Sequence, residues 1–510
     1  MTEHAGRKRH DGHRVRARRL GIDTHSEAVV FLRKDSAVCR AEGFEAHSRV
    51  LLKAGKRAVI ATLYQVTDGI VGPHEAGISE SAWRRLHLQH DGEEIAISHP
   101  DPVESLSLLR GRIYGRELDE QALHTIVGDI VAGAYSDIDI SAFITACATR
   151  PLTHGEVLGL TRAMVDAGDT LSWNRDIVVD KHSVGGLPGN RTTPIVVAIM
   201  TSLGLTMPKT SSRAITSPAG TADTMETLAP VALDLKTIHR VVEREGGCIA
   251  WGGAVRLSPA DDILIRVERA LDIDTEGQLI ASVLSKKVAA GSNVLVLDMP
   301  IGPTAKVRTK EAARSLSEGL LSVARAFGIR ATVSESDGSQ PVGRGIGPAL
   351  EARDVLAVLQ NAKDAPADLR ERALTLCGAL LELAGGAAES KGIAMARRAL
   401  QDGRAWTKFQ RICEAQGGMR IPPTSRRREP LAAEADGRIS SIDNRKLAKL
   451  AKLAGAPEAK AAGVELRVRA GEVVRKGDEL CTVHADAPGE LAYAMEYALA
   501  TPDIFEIARA

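Results

Sequence analysis

The sequence is poor in aromatic residues, paired cysteines, long apolar runs and net charge. Only 3% of its 510 residues are aromatic although 44% are hydrophobic, so its cores must be built from aliphatic side chains. The six cysteines are scattered with no Cys-x-x-Cys pair, which argues against a disulfide framework or a zinc site and favours reduced thiols. No apolar run reaches the ~18 residues that cross a membrane, and a net charge of +1 argues against a general nucleic-acid-binding surface. We therefore expect a cytoplasmic protein with neither membrane nor nucleic-acid partners.

Changes of pattern along the chain indicate several domains. Short β-type runs come first, amphipathic helical periods follow, and strands then alternate with alanine-rich helices, which is typical of a mostly parallel sheet covered by helices. The predicted organisation is a basic disordered tail (1–19), an N-terminal β-rich domain (20–98), a helical domain (101–171 plus 259–290), an α/β domain (172–258 plus 291–425) and a C-terminal α+β domain (426–510). In the α/β domain, strands are predicted at 176–180, 206–210, 248–251, 294–298 and 328–333.

The stretch 180–193 (Asp-Lys-His-Ser-Val-Gly-Gly-Leu-Pro-Gly-Asn-Arg-Thr-Thr) carries the most specific chemical signal. It follows the first predicted strand and precedes a helix that opens with Pro194 in its first turn. A glycine-rich turn at a helix N-terminus gathers backbone N–H groups and a favourable dipole around an anion. A cation and hydroxyl donors are added at Lys181, Ser183, Thr192 and Thr193. The sequence therefore predicts a phosphate site here.

A second loop, 211–221, follows the next predicted strand and is dense in hydroxyl groups, with one arginine. Loops that follow successive parallel strands lie at the same carboxyl edge of the sheet, where ligands bind. Three further segments are weaker signals. Ser282 and Lys286 share one helical face, and the loop 303–306 ends in Lys306. The glycine run 343–347 is either structural or close to the substrate, and the histidines show no metal-ligand spacing.

Together these clusters resemble the thymidine phosphorylase / AMP phosphorylase family, in the family's order and spacing, from about residue 101 to the C-terminus. The motifs that carry the resemblance are Lys181-His182-Ser183-x-Gly185-Gly186, Ser211-x-Arg213, Gly220-Thr221 and Ser282-x-x-x-Lys286-Lys287. The β-rich segment 20–98 resembles the N-terminal extension of the longer type-2 and AMP phosphorylase branch. The resemblance implies a helical domain hinged to a larger mixed or parallel-sheet α/β domain, usually in a homodimer or larger homo-oligomer.

The resemblance also implies the reaction, in which phosphate attacks C1′ of a bound nucleoside and the base leaves. Inorganic phosphate is then a co-substrate, and neither a cofactor nor a metal is expected. The implied phosphate ligands are Lys181, Ser183, Gly185, Gly186, Thr193, Ser211 and Thr221. The implied nucleoside or nucleotide ligands are Ser212, Arg213, Ala214, Ile215, Thr216, Ser217, Arg266, Ser282, Lys286 and Lys306. The implied proton donor to the departing base is Asp274 or His182.

The substrate stays open between a nucleoside and a nucleoside 5′-monophosphate. Lys306 and the glycine-poor loop 212–217 resemble the AMP phosphorylase branch, where these positions meet the 5′-phosphate of the nucleotide. The pair Ser282 and Lys286 is shared with pyrimidine-specific relatives, so the resemblance does not decide which base the substrate carries. Two other functions remain as alternatives. An anthranilate phosphoribosyltransferase-like enzyme would need Asp223 and Glu226 for magnesium-pyrophosphate, and a non-catalytic nucleotide sensor would not need the phosphate-loop lysine.

Overall fold

The computed structural model describes residues 12–24, 27–67, 69–214, 217–273 and 275–508. It divides into two compact units. The first holds the described residues up to Arg116 together with Gly128–Phe143, and the second holds Glu117–Val127 together with the chain from Ile144 onward. Among these residues, no helix combines the length and apolar character needed to traverse a bilayer. The predicted domain boundaries within the units remain a prediction.

The first unit is built around a closed β-barrel. The elements that begin in this unit are β1 (His13–Arg19), β2 (Val29–Arg33), α1 (Ala37–Glu42), β3 (Arg49–Ala54), β4 (Arg57–Val66), β5 (Glu75–Ile78), α2 (Glu80–Leu86), β6 (Glu94–Ser98), α3 (Ser105–Ile113) and α5 (Asp137–Thr149). α4 (Glu120–Ala132) begins in the second unit and ends in the first. The barrel strands neighbour one another in the order β1-β5-β2-β4-β3-β6. Valine, isoleucine and leucine alternate into the barrel and form its core.

The prediction of a disordered tail over 1–19 is wrong for residues 13–19, and residues 1–11 lie outside the described part. β1 pairs with both β5 and β6 and so closes the barrel. Val15 and Ala17 point into the core, whereas Arg14 ion-pairs with Glu94 on the outside. In β1 the arginines alternate with Val15 and Ala17, the two buried residues of the strand. This period-two pattern is typical of a strand, but it is weak in the sequence because so few of its residues are apolar.

The second unit contains a parallel sheet that confirms the predicted α/β class. Its strands are β7 (Val179–Ser183), β8 (Met207–Ser211), β9 (Gly247–Trp251), β10 (Val294–Ile301) and β11 (Arg330–Asp337). β7, β10 and β11 pair in parallel, as do β8 and β9, and a parallel bridge between Val178 and Thr206 joins the two groups. The first strand lies three residues later than predicted, because ladder pairing with β10 runs from Val179 to Ser183. Lys181, His182 and Ser183 therefore belong to the strand rather than to the loop after it.

Helices cover this sheet and form its main core. They are α6 (His154–Asp166), α7 (Thr192–Ser202), α8 (Thr221–Glu226), α9 (Leu235–Glu245), α10 (Pro259–Leu271), α11 (Glu276–Ala289), α12 (Lys310–Ala326), α13 (Pro348–Leu359), α14 (Ala367–Leu383), α15 (Gly392–Gln401) and α16 (Arg404–Gln416). α7 is buried along nearly its whole length, as expected of a helix enclosed between a sheet and other helices. α11 shares a core with α6 through Val283 and Val157, so part of the segment 259–290 packs against the earlier helical segment 101–171.

The C-terminal part, in the same unit, is an α+β arrangement. It contains β13 (Arg427–Ala432), β14 (Gly437–Ile442), α17 (Asn444–Leu453), β15 (Gly463–Leu466), β16 (Val473–Val474), β17 (Glu479–Ala485), α18 (Pro488–Ala500) and β18 (Phe505–Ala508). One of its sheets has the order β12-β15-β17-β13 and so includes β12 (Gly345–Ile346), which belongs to the predicted α/β domain. The segment Pro422-Pro423-Thr424-Ser425, at the predicted boundary between the two domains, therefore joins two parts that already share a sheet.

Candidate active site

A buried lysine lies at the centre of the predicted phosphate site. Lys181 is only 1% exposed, and its Nζ donates to Ser183 Oγ at 2.5 Å, to Thr192 Oγ1 at 2.7 Å and to Thr193 Oγ1 at 3.5 Å. Burial lowers the pKa of Lys181 to about 8, although the charge of Asp298 acts in the opposite direction. The structure brings the predicted cation and hydroxyls together and places Thr192 closer to the ammonium than Thr193.

Asp298, which lies opposite Ser183 in the ladder between β10 and β7, anchors this group. Its Oδ2 accepts from Ser183 Oγ at 2.7 Å and from Asn190 Nδ2 at 3.0 Å, and its Oδ1 accepts from Ser336 Oγ at 2.6 Å. Burial disfavours its charge, but Lys181, Arg372 and these hydrogen bonds hold the pKa of Asp298 below its usual value. Because these hydrogen bonds hold the carboxylate in one position, Asp298 keeps the site preorganised.

Arg191 connects this first loop to the second. Its Nη1 donates to Thr221 Oγ1 at 2.8 Å, its Nη2 to the Ala219 carbonyl at 2.8 Å and its Nε to Glu351 Oε2 at 2.6 Å. Thr221, a predicted phosphate ligand, is thus tied to the residue that precedes Thr192. Ser211 ends β8 as Ser183 ends β7, so both serines lie at the carboxyl edge of the parallel sheet.

Arg213 has partners that the sequence did not indicate. Its guanidinium donates twice to Glu226 at 2.8 Å and once to Asp223 at 3.0 Å, and it lies 4.8 Å from the centre of the Trp251 ring. Its hydrogen bonds lower the pKa of Glu226 to about 2. Asp223 also accepts from the N–H groups of Ala214 and Gly220. Arg213 therefore shapes the loop.

The remaining predicted residues of this loop fall into two groups. Ser212 is exposed and Ser217 is partly buried, and Ser217 Oγ donates to the carbonyl of Ala219 at 2.8 Å. Ile215 and Thr216 lie outside the described residues. Their assignment to nucleotide binding therefore remains a prediction.

The predicted base-binding residues lie on α10 and α11. Lys286 Nζ donates to Ser282 Oγ at 3.3 Å and to Asp261 Oδ2 at 2.5 Å, which places Ser282 and Lys286 on one face as predicted. Arg266 is partly buried on α10. Asp274, the first candidate acid, lies outside the described residues.

A buried charge cluster lies directly before Lys181 on β7. Asp180 accepts from Lys209 Nζ at 3.0 Å and from Lys287 Nζ at 2.7 Å. Burial lowers the pKa of Lys287 to about 7. Burial and the neighbouring lysines also lower the pKa of His182 well below its ordinary value. His182, the second candidate acid, is therefore neutral at pH 7 and can donate a hydrogen bond only through its neutral ring.

Lys306 lies against the glycine pair of the phosphate loop. A Cβ added to Gly185 would come within 2.8 Å of Lys306 Cβ, and Gly185 has a φ of +83°. Only glycine avoids both the backbone strain and this collision. The exposed Gly186 follows directly, so the 303–306 loop and the predicted phosphate loop meet at this point.

The glycine run 343–347 is structural at its first turn. The N–H groups of Arg344 and Gly345 donate to Asp354 Oδ2 at 2.6 and 2.7 Å, and that of Gly343 donates to Asp368 Oδ2 at 3.0 Å. N–H groups that already bind carboxylates do not cradle a phosphate. Across the described ranges, no group of three or more His, Cys, Asp or Glu side chains could hold a metal ion.

Several of these residues were missed because their signal is long-range. Asp298 was seen only as the end of a strand, and Asn190 only as part of a glycine-rich turn. Ser336 and Arg372 reach the site from β11 and α14. Nothing in local spacing distinguishes them, although a polar residue in the buried strand 294–301 was an available clue.

The chain matches family models over most of its length. "Glycosyl transferase family, helical bundle domain" matches residues 106–168, "Glycosyl transferase family, a/b domain" matches 175–406, and "Pyrimidine nucleoside phosphorylase C-terminal domain" matches 438–504. A protein of Chelativorans sp. (strain BNC1) named "Putative thymidine phosphorylase" is 60% identical over 97% of both chains. One of the same name from Sphingopyxis alaskensis is 59% identical over 97% of this chain and 96% of its own.

The chain belongs to the thymidine phosphorylase family. This confirms the predicted family and enzyme class, a pentosyltransferase in which phosphate cleaves an N-glycosidic bond, and it argues against the non-catalytic alternative. A solved anthranilate phosphoribosyltransferase from Thermus thermophilus shares the fold, with a TM-score of 0.51, 20% identity and coverage of 60% of this chain and 98% of its own. Asp223 and Glu226, which that alternative would need for magnesium, are instead ion-paired with Arg213 and Lys460.

Proposed function

We propose that this member of the family acts on a nucleoside 5′-monophosphate and releases free base and ribose 1,5-bisphosphate. The observation that supports this choice is the packing of Lys306 against Gly185. It places the aliphatic stem of a second lysine beside the loop proposed to hold inorganic phosphate, from where its ammonium can serve a substrate that has its own phosphate. Thymidine is the second candidate substrate, favoured by the names of the relatives and by the C-terminal family match.

The attacking phosphate is held at the carboxyl edge of the sheet. Lys181 supplies the positive charge, and Lys181 donates to Thr192 and Thr193 in the free protein, so both threonine hydroxyls keep a proton for a phosphate oxygen. In this state the hydroxyl of Ser183 donates its hydrogen bond to Asp298, so it would have to rotate to donate to the ligand. Ser211, Thr221, Gly185 and Gly186 complete the proposed set of ligands.

The sugar and base lie toward α10 and α11. Ser282, Lys286 and Arg266 are the proposed base ligands, and holding C1′ in line with phosphate supplies proximity and orientation. The leaving base needs a proton or a hydrogen bond from Asp274 or His182. The lowered pKa of His182 favours a role as a neutral hydrogen-bond donor, and Asp274 remains the candidate for full proton transfer. A homodimer or larger homo-oligomer also remains a prediction, which light scattering checks.

The test is a substrate panel with wild type and Lys306→Ala. The purified protein is incubated with phosphate and thymidine, uridine, AMP, CMP or UMP, and free base is followed by chromatography. We expect turnover of the monophosphates, and a KM for them that rises more than about tenfold in Lys306→Ala, because a charge-assisted contact is lost. Lys310→Ala, which removes an exposed lysine four residues away, is the matched control. Equal effects of Lys306→Ala on nucleosides and nucleotides would remove the 5′-phosphate role.

A further inference from the structure

The loop that carries Lys306 is fastened to the C-terminal part of the chain. Gly302 N–H donates to the Val307 carbonyl at 3.1 Å, and Ala305 N–H donates to the Gly302 carbonyl at 3.1 Å. The loop is therefore compact, and a shift of one of its residues displaces the others. The attachment to the C-terminal part is made at Thr304, whose hydroxyl meets the start of α17.

Asn444, the first residue of α17, makes this attachment. Its backbone N–H and its Nδ2 both donate to Thr304 Oγ1, at 3.2 and 2.9 Å, and Nδ2 also donates to the Gly338 carbonyl at 3.0 Å. Asn444 is only 2% exposed, so water does not compete for these bonds. Asp443 caps α17 by accepting from two of its N–H groups, which fixes the helix end that presents the amide.

The amide joins two loops that already touch. A Cβ on Gly302 would lie 2.3 Å from the Gly338 carbonyl carbon, so the loops after β10 and β11 meet backbone to backbone. By binding Thr304 on one loop and Gly338 on the other, Asn444 fixes their separation. Since Lys306 is two residues beyond Thr304 and packs on Gly185, this separation sets where its ammonium can reach.

Burying the polar amide of Asn444 lowers the stability of the fold, which argues that this side chain does more than fill space. Its Oδ1 is buried and has no hydrogen-bond partner within the described ranges. An unsatisfied buried acceptor is destabilising, and an apolar side chain of similar size would avoid that cost. The donors of the amide therefore account for its presence.

We propose that Asn444 is a positioning residue for Lys306, through which the C-terminal part of the chain sets the preference of the active site for a 5′-phosphate group. The inference rests on the proposed nucleotide function and extends it to a residue outside the proposed set of ligands. Asn444 is not one of the proposed ligands, and it acts through its bonds to Thr304 in the 302–307 loop and to the Gly338 carbonyl.

The test compares the fastest-reacting monophosphate with its matching nucleoside in Asn444→Leu and in Thr304→Val. Asn444→Leu removes both bonds of the amide and leaves the backbone N–H in place, whereas Thr304→Val removes both bonds to the hydroxyl and leaves the bond to Gly338. We expect the KM for the monophosphate to rise about tenfold in either variant, with kcat and the nucleoside KM unchanged. The double variant should lose less than the sum of the two single effects, because both single variants remove the bond between Asn444 Nδ2 and Thr304 Oγ1. Arg445→Ala, at the exposed next position of α17, is the control and should leave all constants unchanged.

Three outcomes separate the proposals. A selective effect of Asn444→Leu that disappears in a Lys306→Ala background supports the positioning role. Equal losses for nucleoside and monophosphate overturn it, since they indicate a structural role only, and the nucleotide function then stands on Lys306→Ala alone. If Lys306→Ala does not discriminate, both proposals fall. Thermal melts show whether Asn444→Leu folds, and Thr304→Val, with its isosteric side chain, decides the question if it does not.

Discussion

Raising the pH through the pKa of Lys181 should switch off phosphate binding. Burial lowers this pKa to about 8, Asp298 acts against the shift, and Arg191 and Arg372 add to it. At pH 7 about nine-tenths of the molecules then carry the ammonium, and at about pH 9 only about one-tenth do. Inorganic phosphate itself gives up its second proton close to neutrality, so kcat/KM is expressed per phosphate dianion. We therefore expect kcat/KM for the dianion to fall about tenfold between these pH values.

The assay measures initial rates of base release at several phosphate concentrations between about pH 6.5 and 9.5. The ratio kcat/KM reports the free enzyme and kcat reports the complex, in which the bound dianion holds the proton on Lys181. The decline should therefore begin at a higher pH in kcat than in kcat/KM. Lys181→Arg keeps its positive charge over this whole pH range. Any activity that this variant retains should therefore show no decline near pH 8.

Denaturation can be separated from this effect by its sign. The unfolded lysine keeps its proton up to about 10.5, whereas the folded one loses it near 8. Between these values the unfolded state binds more protons, so the contribution of Lys181 to stability rises with pH while activity falls. A flat kcat/KM up to about pH 9.5 would refute the burial-based account of Lys181.

Two further predictions concern the anchor of the site and the barrel. Asp298→Asn should raise the KM for phosphate about tenfold, since Ser183 loses its charged acceptor and Lys181 its counter-charge; steady-state kinetics check this, and an unchanged KM would count against the anchor role. Val15→Asp should destabilise the protein by about 3 kcal/mol because it buries a carboxylate in the barrel, whereas Arg16→Asp, on the outer face of the same strand, should cost far less. Urea unfolding measures both, and equal effects would contradict the two-faced strand.

Most of the α/β architecture could be predicted from the sequence because the signals for its strands, turns and helices are local. An apolar run followed by a glycine-rich turn and a helix predicted β7 and the donors around Lys181, and the four-residue spacing placed Ser282 beside Lys286. β1 was missed for an equally physical reason. Its inward residues are few, and its arginines, a charge signal typical of a disordered tail, lie on the exposed face of the strand, where Arg14 pairs with Glu94 and Arg19 with Glu80.

The interior of the site was less accessible to sequence reasoning. The family resemblance assigned Arg213 to the nucleotide, and nothing in the local sequence indicated that Glu226 binds its guanidinium at 2.8 Å. Asp298 and Asn444 act through partners more than 100 residues away in the chain. Such pairings depend on how strands and loops are brought together, which composition and periodicity do not encode.

The most direct test of the account is to follow phosphate itself during the reaction. Wild type is mixed with the substrate that it turns over and with inorganic phosphate, and ³¹P NMR is compared with chromatography of the free base. We predict a new phosphate ester in one-to-one ratio with released base, no release without phosphate, and neither product from folded Lys181→Ala. Base release without phosphate, or undiminished turnover by Lys181→Ala, would contradict the assignment of Lys181 and its hydroxyl partners to the attacking phosphate.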